Sequence, residues 1–243
     1  MASLRWRRRA SSRSTPRRCC SRTRVARGWG VRILFIADVE EGWLYDHWDA
    51  ERVSGVDLVV SCGDLPAVYL EHIVTLANVP LLYVQGNHDT AYDRHAPEGC
   101  VSIDGNIRDF HGLRIMGLGG SIRYNDSVHG FTEAEMGRQA ARLTLLAQAT
   151  GGVDLIVTHA PARGYGDLED LPHRGFEAFN RLLERTRPRY LVHGHVHLNY
   201  GRIERVREHA CGTTIVNAFG SYVIEIPDED IAQRGGLFRP ESV

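Results

Sequence analysis

Five short apolar segments, each followed directly by polar residues that bind metal ions well, constrain this 243-residue chain more than any other feature. Short apolar runs of this kind predict buried strands, and open α/β sheets place their ligands at the carboxyl ends of strands. We therefore expect the five ends to meet at one site. The segments cover residues 31–37, 57–62, 80–85, 153–157 and 190–192, and they lead into Asp38-Val39-Glu40, Gly63-Asp64, Gly86-Asn87-His88-Asp89, Thr158-His159 and Gly194-His195-Val196-His197.

The last segment carries three histidines at alternate positions, His193, His195 and His197. Alternate side chains of a strand point to one face, and neutral imidazole is the commonest metal ligand in proteins. Taken alone, this stretch is equally compatible with a polar loop whose histidines are satisfied by hydrogen bonds. The oxygen and nitrogen ligands at the other four strand ends favour a metal site.

The candidate ligands offer only oxygen and nitrogen atoms: they are Asp38, Asp64, Asn87, His159, His195 and His197. Such a mixed set suits Mn, Fe, Co, Ni or Zn rather than metals that prefer thiolates. Six ligands are too many for one ion that also binds water and substrate, so two ions sharing a carboxylate form the simpler arrangement. Paired ions about 3.5–4 Å apart stabilise the attacking and leaving oxygens of an in-line displacement.

Together and in this order, the five motifs resemble those of the calcineurin-like metallophosphoesterases, over residues 31 to about 226. The resemblance implies an α/β fold, a four-layer α/β/β/α sandwich of two mixed sheets flanked by helices, with a dinuclear site at its mouth. It implies that Asp64 bridges two metals, that Asp38 and His197 hold one of them, and that Asn87, His159 and His195 hold the other. It also implies that His88 touches the scissile phosphate and protonates the leaving group, with Asp64 and Asp89 orienting it.

Two positions depart from the family pattern. The first motif is usually Asp-x-His, whereas this chain has Asp38-Val39-Glu40. We expect Glu40 to be a metal ligand, and its hard carboxylate favours Mn or Fe; the alternative is that it points away and one metal is weakly held. Protein phosphatases of the family continue Gly-Asp with Asp-Arg-Gly, whereas Gly63-Asp64 is followed by Leu65-Pro66, which disfavours a protein substrate.

The expected function is therefore a metal-dependent phosphoester hydrolase, with hydroxide bridging two divalent metals as the nucleophile. We expect a phosphodiesterase or phosphatase acting on a small phosphorylated substrate, with Mn as the metal and Fe, Ni, Co or Zn as alternatives. Two other interpretations stay open: a non-catalytic metal-binding scaffold of the same fold, and a nuclease recruited by a basic arm. His88 disfavours the scaffold, because a scaffold needs no acid for the leaving group.

Residues 1–30 form that arm, with ten arginines and no acidic residue. We expect it to be disordered. It is a targeting peptide, a nucleic-acid-binding arm, or the product of a start codon assigned too far upstream, and we favour the last. Without it the chain has 19 basic and 30 acidic residues, a net charge of −11, so nucleic acid is an unlikely partner of the body.

Composition gives several further expectations. No apolar run reaches the length of about 18 residues that a membrane span needs. The five cysteines show no spacing typical of a disulfide framework or a thiolate zinc site, which favours a reducing, cytoplasmic setting. The oligomeric state is not indicated. Residues 31–226 form the phosphoesterase domain in this interpretation, and residues 227–243 form a C-terminal tail.

The remaining periodicity predicts helices over 66–77, from the capping box at Thr132 to Gly151, and from Phe176 to Arg187. Residues 160–175 form a long Gly/Pro/Asp loop, and loops of this length in compact domains are usually functional. Asp167, Asp170, His173 and Arg174 in that loop are candidate substrate contacts. The alternation after His197 predicts an antiparallel meander through 200–204, 213–217 and 221–226.

Overall fold

The computed structural model describes residues 30–201, 203–231, 236 and 240–243. The basic arm lies outside these residues except for Gly30, so its three interpretations stay open. The α-helices are α1 (Ala50–Val53), α2 (Ala67–Ala77), α3 (Glu133–Thr150) and α4 (Glu177–Thr186). The strands are β1 (Val31–Ala37), β2 (Leu58–Ser61), β3 (Leu81–Tyr83), β4 (Val101–Ser102), β5 (Ile107–Phe110), β6 (Leu113–Leu118), β7 (Ser121–Ile122), β8 (Gly130–Phe131), β9 (Leu155–Thr158), β10 (Tyr190–His193), β11 (Val206–Glu208), β12 (Thr214–Asn217), β13 (Gly220–Ile226) and β14 (Glu241–Ser242).

Two large mixed sheets carry the site. The first has the strand order β13-β1-β2-β3-β4, with β1 to β4 parallel and β13 antiparallel to β1. The second has the order β11-β12-β10-β9-β6-β5-β14, in which β12, β10, β9 and β6 are parallel. The antiparallel strands β11 and β5 flank these four. The predicted pair of mixed sheets is confirmed.

The core lies in three layers because the central strands are buried on both faces. Strand β1 shows this directly: Ile33 and Phe35 point between the sheets, whereas Leu34 and Ile36 point toward α1 and α2. Helices α3 and α4 cover the outer face of the second sheet, with Met136 and Phe179 among the buried residues of that layer. The order helix, sheet, sheet, helix is the predicted four-layer sandwich.

The helix boundaries follow from local chemistry. Helix α3 begins at the predicted capping box, in which Glu135 Oε2 accepts from Thr132 N at 2.8 Å and Thr132 Oγ1 accepts from Glu135 N at 3.3 Å. It ends at Gly151, whose φ of +88° is a left-handed conformation that glycine adopts without strain. Helix α4 ends at Arg187, before Pro188. None of the helices in the described residues combines the length and apolar composition that a bilayer crossing requires.

The predicted antiparallel meander after His197 was wrong in its first strand and in the pairing of its last, although the strands predicted at 213–217 and 221–226 are present as β12 and β13. Residues Leu198–Tyr200 form a 3-10 helix, and the next strand begins only at Val206. Strands β11 and β12 form a hairpin, but β13 crosses to the first sheet and pairs with β1 along its whole length. Ile224 and Ile226 then fill the core between the sheets. Alternation identifies a strand that buries one face, but it does not identify the partner of that strand.

Asp104 ties the two sheets together close to their carboxyl ends. Its Oδ2 accepts from the backbone N–H of Gln85, after β3, at 2.8 Å. Its Oδ1 accepts from the backbone N–H of Gly119, after β6 in the other sheet. One carboxylate therefore satisfies two backbone donors that no strand ladder reaches.

We predict that Asp104→Ala lowers the free energy of unfolding by about 2–4 kcal/mol, because two buried donors lose their acceptor. Urea denaturation measures the change. Asp46→Ala is the matched control, since this carboxylate is exposed and exposed substitutions usually change stability by less than about 0.5 kcal/mol. Equal effects of the two substitutions would contradict the assigned role of Asp104.

Candidate metal centre

The carboxyl ends of five parallel strands, three in the first sheet and two in the second, lie at one end of the sandwich. Asp38, Asp64 and Asn87 follow β1, β2 and β3, whereas His159 and His195 follow β9 and β10. Asp38, Asp64 and His195 have φ values of +66°, +57° and +68°, the left-handed region that residues with a Cβ rarely adopt. The chain turns sharply at these three positions.

His159 is the centre of the cluster. It is fully buried, and its Nδ1 lies 2.8 Å from the carbonyl oxygen of Cys62. Because a carbonyl only accepts, Nδ1 carries the proton, and Nε2 is left with a lone pair in the neutral ring. That Nε2 lies 3.1 Å from Asn87 Oδ1 and 3.3 Å from Asp64 Oδ2. A nitrogen lone pair and two oxygens therefore face one point.

The orientation of Asn87 agrees with this arrangement. Its Nδ2 donates to the hydroxyl of Tyr124 at 3.1 Å, so Oδ1 points toward His159. Three acceptors facing one buried point are stable only if a cation or a proton lies between them. Burial lowers the pKa of His159, but the adjacent Asp64 carboxylate outweighs it and raises that pKa to about 10. The donor set thus fits a divalent cation.

His195 is held through its other nitrogen. Its Nε2 lies 2.7 Å from the carbonyl oxygen of Pro172, so Nε2 donates and Nδ1 keeps the lone pair. Ligand atoms of His195, His159 and Asp64 lie within 4.8 Å of one another. A carbonyl that fixes the tautomer of a metal-binding histidine is a recurrent second layer of such sites.

Asp38 connects the first sheet to the histidine turn of the second. Both of its carboxylate oxygens accept from the backbone N–H of His195, at 2.9 and 3.0 Å. Burial raises the pKa of Asp38 to about 7, partly offset by the positive charge favoured at His159. A nearby cation would favour the ionised carboxylate.

The other predicted site residues lie around this cluster. His197 is half-buried, and burial lowers the pKa of its imidazole; the charge of Asp64 opposes this shift and that of His159 adds to it. The side chain of Glu40 is exposed. His88 is also exposed, and its backbone N–H donates to Asp64 Oδ1 at 2.8 Å. The ligand and catalytic roles of all these residues remain predictions.

The Asp89 carboxylate was expected to orient His88, but it is hydrogen-bonded elsewhere. Its Oδ2 accepts from the backbone N–H groups of Asp64 and Gly86, at 2.8 and 2.7 Å. It therefore binds the two motif loops to each other, through hydrogen bonds to backbone groups rather than to the His88 ring. Burial raises the pKa of Asp89 to about 6.

The long loop after β9 contributes both a backbone carbonyl, that of Pro172, and side chains to the surroundings of the cluster. Asp167 accepts from Arg163 Nη1 at 2.6 Å and from the backbone of Gly164, so it stabilises the loop itself. His173, by contrast, lies beside the cluster, with its ring centroid 5.5 Å from that of His195 and its Nδ1 2.6 Å from Asp170 Oδ2. Of the four predicted substrate contacts, this pair lies at the site.

The space that the ligands occupy depends on glycine. A Cβ at Gly86 would lie 2.0 Å from Asp64 Oδ1, and a Cβ at Gly194 would lie 2.7 Å from Asp38 Oδ2. Neither distance is sterically possible without moving the carboxylate. The glycines of these two motifs are therefore required by the close approach of the side chains that face the centre.

A family model described as the calcineurin-like phosphoesterase superfamily domain matches residues 31–227. The chain belongs to this superfamily. Membership agrees with the two-sheet sandwich and supports metal-dependent hydrolysis of phosphoesters as the class of activity. The matched range covers every candidate ligand named above.

Three individual proteins are similar to this chain in sequence or in structure. UPF0046 protein T07D4.2 of Caenorhabditis elegans is 42% identical over 104 residues, which are 42% of this chain and only 25% of that protein. A solved crystal structure aligns with 81% of this chain and 95% of its own at 13% identity, with a TM-score of 0.58, and shows the same fold. Sulfate thiohydrolase SoxB of Thermus thermophilus, in complex with glycerol, has a TM-score of 0.40 at 15% identity over 73% of this chain and 40% of its own.

Sequence reasoning missed three contributors to this candidate site. The carbonyl groups of Cys62 and Pro172 fix two imidazoles, and the Tyr124 hydroxyl fixes Asn87. Backbone carbonyls carry no residue-type signal, so no pattern could have found the first two. Tyr124 lies in a segment without strand or helix periodicity, and only its position in the fold marks it.

We predict that Gly86→Ala reduces the number of divalent metals bound per chain, because the new Cβ displaces the Asp64 carboxylate. Metal content after loading with Mn²⁺ and gel filtration measures this. Gly42→Ala is the matched control, since a Cβ there would have nothing within 4 Å. Full metal content in Gly86→Ala would show that Asp64 is not a required ligand.

Proposed function

We propose that this chain is a metal-dependent phosphoester hydrolase with a dinuclear centre, acting on a small phosphorylated substrate as a phosphodiesterase or phosphatase. The observation that carries the proposal is the convergence of His159 Nε2, Asn87 Oδ1 and Asp64 Oδ2 on one buried point. Family membership and the exposed His88 beside Asp64 support the same reaction. Mn is the proposed metal, with Fe, Ni, Co or Zn as alternatives.

The proposed ligand sets divide between the two sheets. Asp64, Asn87, His159 and His195 would hold one cation, and Asp38 and His197 would hold the other with Asp64 shared. Two bound divalent cations would supply a strong nucleophile at neutral pH by lowering the pKa of water, and would offset charge on the phosphoryl oxygens.

The chain's own groups perform the remaining tasks. Asp89 binds the Asp64 and Asn87 loops to each other, which keeps the two ligands in register. His88 is exposed and its backbone N–H donates to Asp64, and in this proposal its imidazole donates a proton to the leaving oxygen of a phosphate bound over the centre. The free thiols of Cys62, Cys100 and Cys211 support the proposed cytoplasmic, reducing location.

We predict that the Mn²⁺-loaded protein hydrolyses bis(p-nitrophenyl) phosphate or p-nitrophenyl phosphate, and that EDTA abolishes this activity. The ratio of the two rates separates a diesterase from a monoesterase. Asp64→Asn should lose metal and activity together. Inactivity on both esters with two metals bound would contradict the proposal and favour a non-catalytic scaffold.

The proposed role of His88 as general acid can be tested with the same assay. His88→Ala should retain both metals and slow hydrolysis by about 10²–10⁴-fold for phenyl phosphate, whose leaving group needs a proton. The loss should be smaller for p-nitrophenyl phosphate, whose leaving group departs without one. His95→Ala is the matched control, an exposed histidine that pairs with Glu71 on α2. Equal losses on both substrates would exclude a general acid.

Glu40 is proposed as an additional ligand of the Asp38 cation, although its side chain is exposed in the structure. We predict that Glu40→Ala weakens binding of one of the two Mn²⁺ ions, as measured by titration calorimetry. Glu51→Ala, an exposed glutamate in α1, is the control. Two ions bound with unchanged affinity in Glu40→Ala would remove Glu40 from the ligand set.

A further inference from the structure

The candidate ligand His197 differs from the other two histidines in how its ring is held. The second nitrogen of His159 lies 2.8 Å from the Cys62 carbonyl, and that of His195 lies 2.7 Å from the Pro172 carbonyl. Among the described residues, neither ring nitrogen of His197 has a hydrogen-bond partner. A metal-binding histidine nearly always has such a partner, which fixes its orientation. The contacts of the His197 ring among the described residues are aromatic instead.

Two aromatic rings pack against the His197 ring. The Tyr200 ring is stacked on one face, with centroids 4.7 Å apart and planes 16° apart. The Phe219 ring lies against His197 with centroids 4.5 Å apart and planes 36° apart. We call Tyr200, His197 and Phe219 the aromatic sandwich. Because these rings pack on the imidazole without hydrogen-bonding to it, its nitrogen atoms remain available to meet a cation.

Phe219 is the fixed side of the aromatic sandwich. Its backbone N–H donates to Asn217 Oδ1 at 2.9 Å, and its carbonyl accepts from Arg205 Nη2 at 3.1 Å. It also forms an isolated bridge to Ala37, the residue before Asp38. The ring that supports His197 is thus anchored to the strand end that carries the second proposed ligand of the same cation.

Tyr200 is the outer side of the aromatic sandwich. It closes the 3-10 helix Leu198–Tyr200, and its N–H donates to the carbonyl of His197 at 3.1 Å, so the ring folds back over the histidine. Tyr200 is 49% exposed. Its ring makes an edge-to-face contact with His173 at a centroid distance of 5.0 Å, and His173 is held by Asp170. The long loop therefore braces Tyr200.

The geometry points to Tyr200 and Phe219 as positioning residues that orient His197 toward the cation it shares with Asp38. This inference rests on the proposed function, because it assigns His197 to the metal centre. Stacking takes the place of the missing carbonyl: it blocks rotation of the ring and leaves both nitrogens free of competing acceptors. Loss of either ring should therefore weaken one metal site and leave the other unchanged.

The test is calorimetric titration of the full chain with Mn²⁺ after EDTA treatment, for Tyr200→Ala and Phe219→Ala. Removing an orienting partner of a ligand typically weakens metal affinity by about 10–100-fold. We expect a loss of at least about tenfold at one site, with the affinity of the Asp64–His159 site unchanged. Tyr200→Phe and Phe219→Tyr keep the ring and should restore the affinity of the unaltered protein.

Thermal unfolding in EDTA shows whether each variant is folded without metal. Tyr200→Leu is a second variant that keeps apolar bulk without an aromatic face, and it should behave as Tyr200→Ala does. In a His197→Ala background, Tyr200→Ala should cause no additional loss of affinity, because residues that act through one ligand are not additive.

Two outcomes separate this inference from the proposed function. If His197→Ala binds two Mn²⁺ ions with unchanged affinity, the assignment of His197 to the centre fails. If His197→Ala loses affinity at one site but folded Tyr200→Ala and Phe219→Ala do not, the positioning role fails while the metal centre stands. Equal losses at both sites would also overturn the role, because they would indicate a general disturbance of the fold.

Discussion

The imidazole of His159 joins the two sheets at the point where the candidate ligands meet. It follows a strand of the second sheet, donates to the Cys62 carbonyl of the first, and presents its other nitrogen to Asp64 and Asn87. Burial without a counter-charge would be unfavourable for this group of acceptors. The fold and the site therefore depend on the same requirement, a positive charge between the sheet ends, which either a proton or a divalent cation can supply.

Much of this arrangement was predictable because each motif follows its strand directly. Mainly apolar segments of five to seven residues placed Asp38, Asp64, Asn87 and His159 at strand ends, and parallel sheets bring such ends to one side. The capping box at Thr132 fixed the start of α3 for an equally local reason. The partner of β13 was not predictable, because its alternation satisfies either sheet. Nor were the carbonyls that orient His159 and His195, since any residue supplies one.

The loop between β9 and α4 contacts the candidate site through both a backbone carbonyl and a side chain. Its Pro172 carbonyl orients His195, and its His173 ring contacts Tyr200, which stacks on His197. This loop therefore orients His195 directly and contacts the ring that packs on His197. The sequence placed His173 among the candidates for substrate contact, and its observed neighbours are the rings beside the proposed metal ligands. The Pro172 carbonyl contacts His195, and the adjacent His173 side chain acts on His197 through Tyr200.

The left-handed backbone at Asp38, Asp64 and His195 makes these three positions costly in stability for any residue other than glycine. Each such residue costs on the order of 1–3 kcal/mol that a glycine would not. Replacing any of the three by glycine would relieve that strain while deleting a side chain of the centre. At these three positions the chain therefore gives up some stability and gains the side chains that form the candidate centre.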